Sequence, residues 1–84
     1  MEKSGEWYVY ILRCKDDTLY TGITDNLEKR IKMHNLGTGA KYTRGRGPVE
    51  LRYSETLPDK SSALRREHEI KKLSRYEKLK LIEK

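Results

Sequence analysis

The sequence predicts an α/β fold (an α+β sandwich), in which a three-stranded antiparallel sheet is flanked by helices in the order β-β-α-β-α-α. Three short segments are rich in apolar, aromatic or β-branched residues and read as strands: 7–12, 19–24 and 49–53. Three others have helical apolar spacing and begin with capping residues: 25–36, 59–73 and 74–82. With 84 residues, the chain has room for a single domain, 1–84, and a compact core.

The first two strands are expected to form an antiparallel hairpin. Trp7 to Leu12 is continuously apolar or aromatic, which suits a strand covered on both faces, and the turn residues 15–18 separate it from the second strand. A two-residue loop would place Tyr10 and Tyr20 on opposite faces, because side chains alternate along a strand. A three-residue or bulged loop would place both phenols on one face. A site shared by the two tyrosines therefore requires the longer loop.

The first helix is expected to begin at Asp25 and to end near Gly37. Asp25 and Glu28 have the spacing of a capping box, in which the Asp side chain accepts from a backbone amide of the first turn. Leu27 and Ile31 lie four residues apart and predict the face that packs on the core. Gly37 is a typical residue at a helix end.

The second half of the chain is expected to add one strand and two helices. Val49, Leu51 and Tyr53 alternate with polar residues and predict a strand with one buried face. Asp59 is expected to cap a second helix that runs to about Leu73. A capping box of Ser74 and Glu77 begins a third helix, whose apolar side is expected to comprise Tyr76, Leu79 and Ile82.

The charge balance favours a polyanionic partner. The formal net charge is +6, and 38% of the residues are charged. A basic surface gains affinity for a phosphate backbone by releasing counterions, whereas the simpler interpretation is that the charge only keeps a small protein in solution. No apolar run approaches the length of a membrane span, and no signal-type segment follows Met1, so a cytoplasmic location without membrane contact is expected. Cys14 is the only cysteine and is expected to be a buried thiol, without a disulfide or a zinc site.

Glu67 does not fit a purely structural pattern. The buried stripe of the second helix is expected to comprise Ala63, Leu64, Ile70 and Leu73, and Glu67 lies in the middle of it. A buried carboxylate is costly unless it is paired or bound to a cation. Two interpretations remain open: Glu67 lies at the edge of the stripe and reaches solvent or Lys71, or it is a metal ligand in a pocket.

Arg30 and His34 are one helical turn apart and share a face beside the core stripe of the first helix. Such a basic pair is often simply solvated. Tyr10 and Tyr20, taken singly, are equally compatible with strand residues packed in a core. The glycine-rich segment 37–48 is the clearest binding feature, because glycines let the backbone approach a ligand and its basic and aromatic side chains suit phosphates and bases.

Taken together, these residues resemble the GIY-YIG nuclease superfamily, and specifically its short, stand-alone bacterial members. Tyr8-Val9-Tyr10 stands where the family has its first tripeptide, and Tyr20-Thr21-Gly22 where it has the second. Arg30, followed one turn later by His34, occupies the place of the family's helix arginine, and Glu67 that of its metal-binding glutamate. The resemblance spans roughly residues 7–73, and its matches follow in the family's order.

Two departures from the family pattern concern packing more than chemistry. Tyr8 replaces the glycine of the first tripeptide, and Thr21 replaces the isoleucine of the second, while both tyrosines are kept. Family enzymes usually obtain target choice from an attached DNA-binding domain. These 84 residues leave no room for one, so a protein partner that supplies target choice is an open expectation.

The resemblance implies phosphodiester hydrolysis with one divalent cation, expected to be magnesium. Glu67 would hold this ion, Arg30 would donate to a phosphate oxygen, and Tyr20 would orient water or phosphate. Tyr10 would take the proton from water, assisted by His34, and would have to be acidified by the cation and Arg30 to do so. The nucleic-acid backbone would be held by Lys41, Tyr42, Thr43, Arg44, Arg46 and Lys71.

The function expected is therefore a metal-dependent endonuclease acting on DNA, including structured, nicked or single-stranded DNA. The alternative is a non-catalytic or partner-dependent nucleic-acid-binding module that uses the same groove. A third interpretation is a small interaction protein whose charge is incidental. Salt-dependent binding would separate the first two from the third, because phosphate contacts weaken as salt rises.

Overall fold

The computed structural model describes residues 5–37, 45 and 47–83, and within these ranges it has the predicted order of elements, β-β-α-β-α-α. The elements are β1 (Trp7–Arg13), β2 (Leu19–Thr24), α1 (Leu27–Asn35), β3 (Glu50–Leu57), α2 (Lys60–Lys71) and α3 (Arg75–Glu83). Both strand pairs are antiparallel, and β1 is the central strand in the order β2-β1-β3. None of the helices found in these ranges has the length and apolar character needed to cross a membrane.

The β1–β2 hairpin has the longer loop that a shared tyrosine site requires. Tyr10 pairs with Gly22, so Tyr20 and Tyr10 point to the same face of the sheet. Cys14 N donates to Thr18 O at 2.8 Å, and Asp17 N donates to Cys14 O at 2.9 Å, which leaves three loop residues between the paired positions. Asp17 has φ +71°, the left-handed conformation with which three-residue hairpin loops commonly end.

Strand β3 differs from the predicted alternation because it contains a bulge. Ile11 pairs with Tyr53 and Leu12 pairs with Leu51, so Arg52 is the extra residue. The bulge breaks the two-residue period, and Leu51 is 41% exposed instead of sharing a buried face with Tyr53. Val49 is buried, as expected, but it lies before the strand, which begins at Glu50.

The sheet is covered by helices on both faces, which gives the predicted sandwich. On one face, Val9 and Ile11 of β1 pack against Ala63 and Ile70 of α2, with side chains of α3 around them. On the other face, a second cluster contains Tyr10, Leu12, the buried thiol of Cys14, and Val49, packed against Leu27 and Ile31 of α1. Consecutive residues of β1 therefore serve two different cores.

The helix caps confirm two predictions and correct one. Asp59 accepts from Ser62 N at 2.7 Å, and Ser74 and Glu77 form the predicted capping box, with Glu77 N donating to Ser74 Oγ and Ser74 N to Glu77 Oε1. The cap of α1 is Asn26, not Asp25, because the Asn26 side chain accepts from Lys29 N at 3.1 Å. Asn26 has the extended backbone that a cap requires, and both residue types are good caps, so the sequence alone did not decide between them.

Some predicted core positions are exposed. Leu64 of α2 is 46% exposed, since it is offset by about 100° from Ala63 around the helix, and only Ala63 and Ile70 of this helix are fully buried. On α3, Tyr76 is 69% and Leu79 is 38% exposed, whereas Leu81 and Ile82 pack on the core. The buried side of α3 is therefore turned toward Leu81 and Ile82 and away from Tyr76 and Leu79.

A polar network links β3 to α2. Arg66 Nε and NH2 each donate to the Glu55 carboxylate at 2.8 Å, and the Tyr53 hydroxyl donates to the same carboxylate. The Arg66 hydrogen bonds hold the pKa of Glu55 below its ordinary value of 4.5. Bidentate pairs of this kind fix orientation as well as distance, so Glu55 and Arg66 set how α2 lies against the sheet.

Candidate active site

Tyr10 is at the centre of the site. It is 1% exposed, and its hydroxyl lies 3.0 Å from His34 Nε2, a contact between β1 and α1. The residue opposite Tyr10 on β2 is Gly22, and a Cβ there would lie 2.6 Å from the Tyr10 hydroxyl oxygen. The Tyr10 ring can therefore lie over β2 because Gly22 has no side chain.

Tyr10, Tyr20 and His34 form one cluster of three rings. The centroid of the Tyr20 ring lies 6.3 Å from that of Tyr10 and 5.3 Å from that of His34, and the Tyr10 and His34 centroids are 6.0 Å apart. The rings meet at angles of 48–64°, within the tilted and edge-to-face arrangements that aromatic pairs prefer. The two phenols and the imidazole predicted for the site are therefore neighbours.

His34 is buried, which removes the interpretation that it is a solvated surface residue. It is 1% exposed, and burial, followed by the charge of Arg30, lowers its pKa below the ordinary value of 6.5. The imidazole is therefore neutral at neutral pH, and one of its nitrogens is free of a proton. In the tautomer with the proton on Nδ1, His34 Nε2 accepts the hydrogen bond from the Tyr10 hydroxyl.

The environment of Tyr10 raises the pKa of its phenol, with burial as the largest cause. A hydrogen bond from Arg30 acts in the opposite direction, while the charges of Tyr20 and Glu67 raise the pKa further. Arg30 lowers the pKa of Tyr10, as the resemblance implied, but the opposite effect of burial is larger. Tyr10 therefore stays protonated, which makes it a poor base by itself and a good hydrogen-bond donor to His34.

Glu67 belongs to α2, in the helix layer on the opposite face of the sheet, yet its charge acts on the Tyr10 phenol. Its side chain is 18% exposed, and Oε2 lies 3.2 Å from Lys71 Nζ. The contact with Lys71 is one of the two interpretations left open by the sequence. The charge of Glu67 is the smallest of the causes that act on the pKa of the Tyr10 phenol, after burial, Arg30 and Tyr20.

The predicted backbone-binding residues are described only in part. Lys41, Tyr42, Thr43, Arg44 and Arg46 lie outside the described residues. The sixth, Lys71, is 53% exposed and pairs with Glu67. Its exposure leaves it accessible to a ligand, but its charge is partly balanced by Glu67.

Two residues that hold the site together were not singled out from the sequence. Gly22 was noted only as part of a tripeptide, although its pairing with Tyr10 makes a side chain there impossible without movement of the rings. Asn35 follows His34, and its side chain accepts from Val49 N at 2.7 Å and donates to Val49 O at 3.5 Å. Neither position has a signal in one sequence, because each depends on a partner distant along the chain.

The donor chemistry of the site fits a divalent cation held by one carboxylate. No group of three or more His, Cys, Asp or Glu side chains is placed to hold a metal within residues 5–37 and 47–83. Glu67 supplies one carboxylate, and a cationic group, the Lys71 ammonium, already lies against it. Mg²⁺ suits such a site, because it keeps several waters and is commonly bound by one or two carboxylates together with substrate phosphates.

The fold is that of a GIY-YIG domain. The family described as the GIY-YIG catalytic domain matches residues 6–80, most of the chain, and the chain belongs to this family of nucleases. The Tyr10, Tyr20, Arg30 and Glu67 positions lie inside the matched range.

Within the family, the chain is similar to proteins named UPF0213. It is 62% identical to the UPF0213 protein OB0043 of Oceanobacillus iheyensis over 90% of this chain and 88% of that protein. It is 67% identical to the UPF0213 protein CPE1444 of Clostridium perfringens over 89% of this chain and 81% of that protein. These names identify relatives but no activity.

Two solution NMR structures confirm the architecture. The UPF0213 protein BH0048 of Bacillus halodurans superposes with a TM-score of 0.60 at 51% identity, covering 93% of this chain and 83% of that one. The protein EF2693 of E. faecalis superposes with a TM-score of 0.62 at 38% identity, covering 96% of this chain and 88% of that one. The predicted fold is thus the fold of experimentally solved relatives.

Proposed function

We propose that this protein is an endonuclease that hydrolyses phosphodiester bonds in DNA with one divalent cation, expected to be Mg²⁺. The observation that carries the proposal is the Tyr10–His34 hydrogen bond inside the ring cluster, beside Arg30 and within the electrostatic reach of Glu67. A buried imidazole with a lowered pKa next to a guanidinium is an arrangement that active sites often use. Membership of a nuclease family supports the same assignment.

In this proposal each side chain has a separate task. Arg30 donates to a non-bridging phosphate oxygen, with the two-donor geometry that a guanidinium offers, and stabilises the charge that develops on the phosphate. Tyr20 lies against the His34 ring and orients the attacking water or the phosphate. Glu67 is the residue that would hold the cation, which would supply further charge stabilisation at the phosphate.

The proton from water passes to His34 through Tyr10. The Tyr10 hydroxyl gives its proton to His34 Nε2 as it receives one from the attacking water, whose oxygen forms the new bond to phosphorus. The bond to the leaving oxygen breaks at the same time, and the leaving oxygen takes a proton from solvent. His34 has an unprotonated nitrogen because burial keeps it neutral, although its lowered pKa makes it a weaker base, and Tyr10 has a proton to pass on because burial keeps it protonated. The resemblance implied the same pair, with Tyr10 taking the proton from water and His34 assisting, but with Tyr10 acidified by the cation and Arg30.

The substrate expected is DNA that is structured, nicked or single-stranded. Backbone contacts through Lys71 and the glycine-rich segment that contains Lys41 and Arg44 would carry little base information, so selection by shape is expected rather than selection by sequence. A protein partner that supplies target choice is compatible with this assignment. DNA is favoured over RNA from the family resemblance alone.

One observation favours the alternative, a nucleic-acid-binding module without turnover. Lys71 Nζ already pairs with Glu67 at 3.2 Å and balances the carboxylate without a metal. In a binding module this ion pair would persist with nucleic acid present. In a nuclease, the cation would compete with the Lys71 ammonium for Glu67.

The test is a cleavage and binding assay on purified protein with branched and linear DNA, with and without Mg²⁺. We expect Glu67→Ala and Arg30→Ala each to lower the cleavage rate by about 10²-fold or more, as removal of one transition-state contact does in other enzymes. Both variants should bind DNA nearly as well as wild type.

The chain offers matched controls for these variants. Glu69→Ala removes an exposed carboxylate two residues from Glu67, and Arg65→Ala removes an exposed arginine of the same helix. Both are expected to cut at the wild-type rate. Wild-type protein that binds but cuts none of the substrates would support the binding-module alternative instead.

A further inference from the structure

Three arginines surround a cleft that is not part of the candidate active site. The cleft has a volume of about 250 Å³, and its charged lining residues are Arg13, Asp17, Arg52 and Arg75, above an apolar floor of Leu19, Leu79 and Ile82. The arginines come from the end of β1, the bulge of β3 and the first turn of α3. Three separate elements thus bring their guanidinium groups to one place.

The cleft carries an excess of positive charge. Asp17 is the only carboxylate among its lining residues, against three guanidinium groups. Arg52 approaches Glu50, which is outside the lining, only at 3.8 Å. An adjoining cleft is lined by Arg75 and Lys78, which extends the positive surface along α3.

The ion pairs of Asp17 show how the arginines of the cleft bind an anionic group. Its Oδ1 accepts from Arg13 Nε at 2.6 Å, and its Oδ2 lies 3.4 Å from Arg75 NH2, so one carboxylate bridges two of the arginines. A phosphodiester group presents two oxygens in a comparable way. The third guanidinium, Arg52, has no strong partner of this kind in the cleft.

Stability does not account for this arrangement. The side chains of Arg13, Arg52 and Arg75 are 47%, 44% and 51% exposed, and exposed ion pairs contribute only about 0–1 kcal/mol each. Three like charges around one cleft repel one another unless an anion lies between them. The arrangement therefore favours a ligand with more negative charge than Asp17 alone supplies.

We propose that this arginine cleft, defined by Arg13, Arg52 and Arg75, binds a second backbone phosphate of the nucleic acid, an inference that rests on the proposed function. Arg13 follows Val9 and Ile11 on the face covered by α2 and α3, whereas Tyr10 and Tyr20 are on the face of α1. Apart from Glu67, which α2 contributes from the face of the cleft, the two phosphate sites therefore draw on opposite faces of the sheet. We therefore expect a branched or sharply bent nucleic acid to reach both sites more readily than a straight duplex does.

The test measures binding in EDTA, without cleavage, using a fluorescent three-way DNA junction and a linear duplex of equal length over a series of salt concentrations. We expect the double variant Arg52→Gln/Arg75→Gln to bind the junction about tenfold more weakly, and the salt slope of log K to fall by about 0.9 for each lost phosphate contact. The linear duplex should be much less affected. Asp17→Asn, which suits the positive φ, should bind the junction more tightly than wild type.

Arg65→Gln is the control, because Arg65 is exposed on α2 and outside the cleft. Thermal melting of each variant tests whether it is folded. Junction binding with the wild-type affinity and salt slope in the double variant would overturn the inference, as would wild-type protein that binds no DNA. Binding that depends on Arg52 and Arg75 in a protein that never cuts would overturn the nuclease proposal and leave the arginine cleft standing.

Discussion

At the residue scale, Gly22 is the position on which the site geometry depends most. A Cβ at this position would lie 2.6 Å from the Tyr10 hydroxyl oxygen, 2.8 Å from its Cζ and 3.0 Å from Tyr20 Cε2. These are ring atoms and a hydroxyl held by His34, so the rings cannot move without breaking the cluster. Gly22 thus has a steric role, and its backbone conformation has no part in it.

Gly22→Ala is therefore expected to damage both the site and the fold. We expect a loss of about 2 kcal/mol in the free energy of unfolding, typical of overpacking, and a fall of at least about tenfold in the cleavage rate. Urea denaturation and the cleavage assay measure the two effects. Gly47→Ala is the matched control, because among the described residues its Cβ would meet only Asn35 Oδ1, at 3.9 Å. Equal behaviour of the two variants would contradict the steric role.

Thr21 departs from the family pattern and leaves a buried hydroxyl without a hydrogen-bond partner among the described residues. It is 3% exposed. Thr21→Val replaces this hydroxyl with a methyl group and is expected to raise the free energy of unfolding by about 1 kcal/mol. Thr24→Val is the control, because the Thr24 hydroxyl accepts from Asn26 N and donates to Asn26 O, and its loss should destabilise the fold. Denaturant unfolding decides; a destabilised Thr21→Val protein would show that the hydroxyl has a partner.

At the element scale, the sequence predicted most boundaries because each has a local cause. Strand β1 is continuously apolar from Trp7 to Leu12. The capping residues of α2 and α3, Asp59 and Ser74, each accept from a backbone amide three residues further along the chain. The cap of α1 and the bulge at Arg52 were missed for different reasons. Asn26 and Asp25 are both good caps, and a bulge depends on the pairing of β3 with β1, which is not local.

The corrected cap can be tested directly. Asn26→Ala removes the acceptor for Lys29 N and is expected to cost about 1 kcal/mol in the free energy of unfolding. Asn26→Asp keeps an acceptor at the same place and should retain the wild-type stability. Urea denaturation of the two variants measures the difference, and a neutral Asn26→Ala would mean that the α1 terminus is held by other contacts.

At the scale of the whole molecule, stability is expected to fall with acid in two steps. Burial lowers the pKa of His34 below 6.5, and the Arg66 hydrogen bonds lower the pKa of Glu55 below 4.5. In both cases the unfolded chain binds the proton more readily, so the stabilisation is present above the ordinary pKa and is lost as pH falls through the lowered one. The His34 step therefore begins below about pH 6.5, and the Glu55 step below about pH 4.5.

Thermal melting at a series of pH values measures both steps. Glu55→Gln should flatten the lower step and leave the upper one, whereas His34→Gln should do the reverse. A wild-type melting temperature that is constant from pH 7 to pH 5 would contradict the buried neutral state of His34.

The sequence predicted the architecture and named the ring cluster, but not how its members come together. Tyr10, Tyr20 and His34 were each assigned from the family resemblance, and the hairpin register and α1 packing bring them within hydrogen-bonding and ring-contact distance. Burial raises the pKa of Tyr10, whereas Arg30 lowers it as the resemblance implied, and only the folded environment reveals this balance. The arginine cleft likewise joins three elements distant in sequence, which no local pattern indicates.

The three-residue turn of the first hairpin has a consequence for how such a chain can change in evolution. Tyr10 and Tyr20 share a face because the paired positions of β1 and β2 add to an even number, as Tyr10 with Gly22 does. Inserting or deleting a single residue between Cys14 and Thr18 would place one of the two phenols on the opposite face of the sheet, unless a compensating bulge arose. Insertions or deletions of two residues would keep both phenols on one face of the sheet. The two tyrosines therefore restrict which lengths the turn can have.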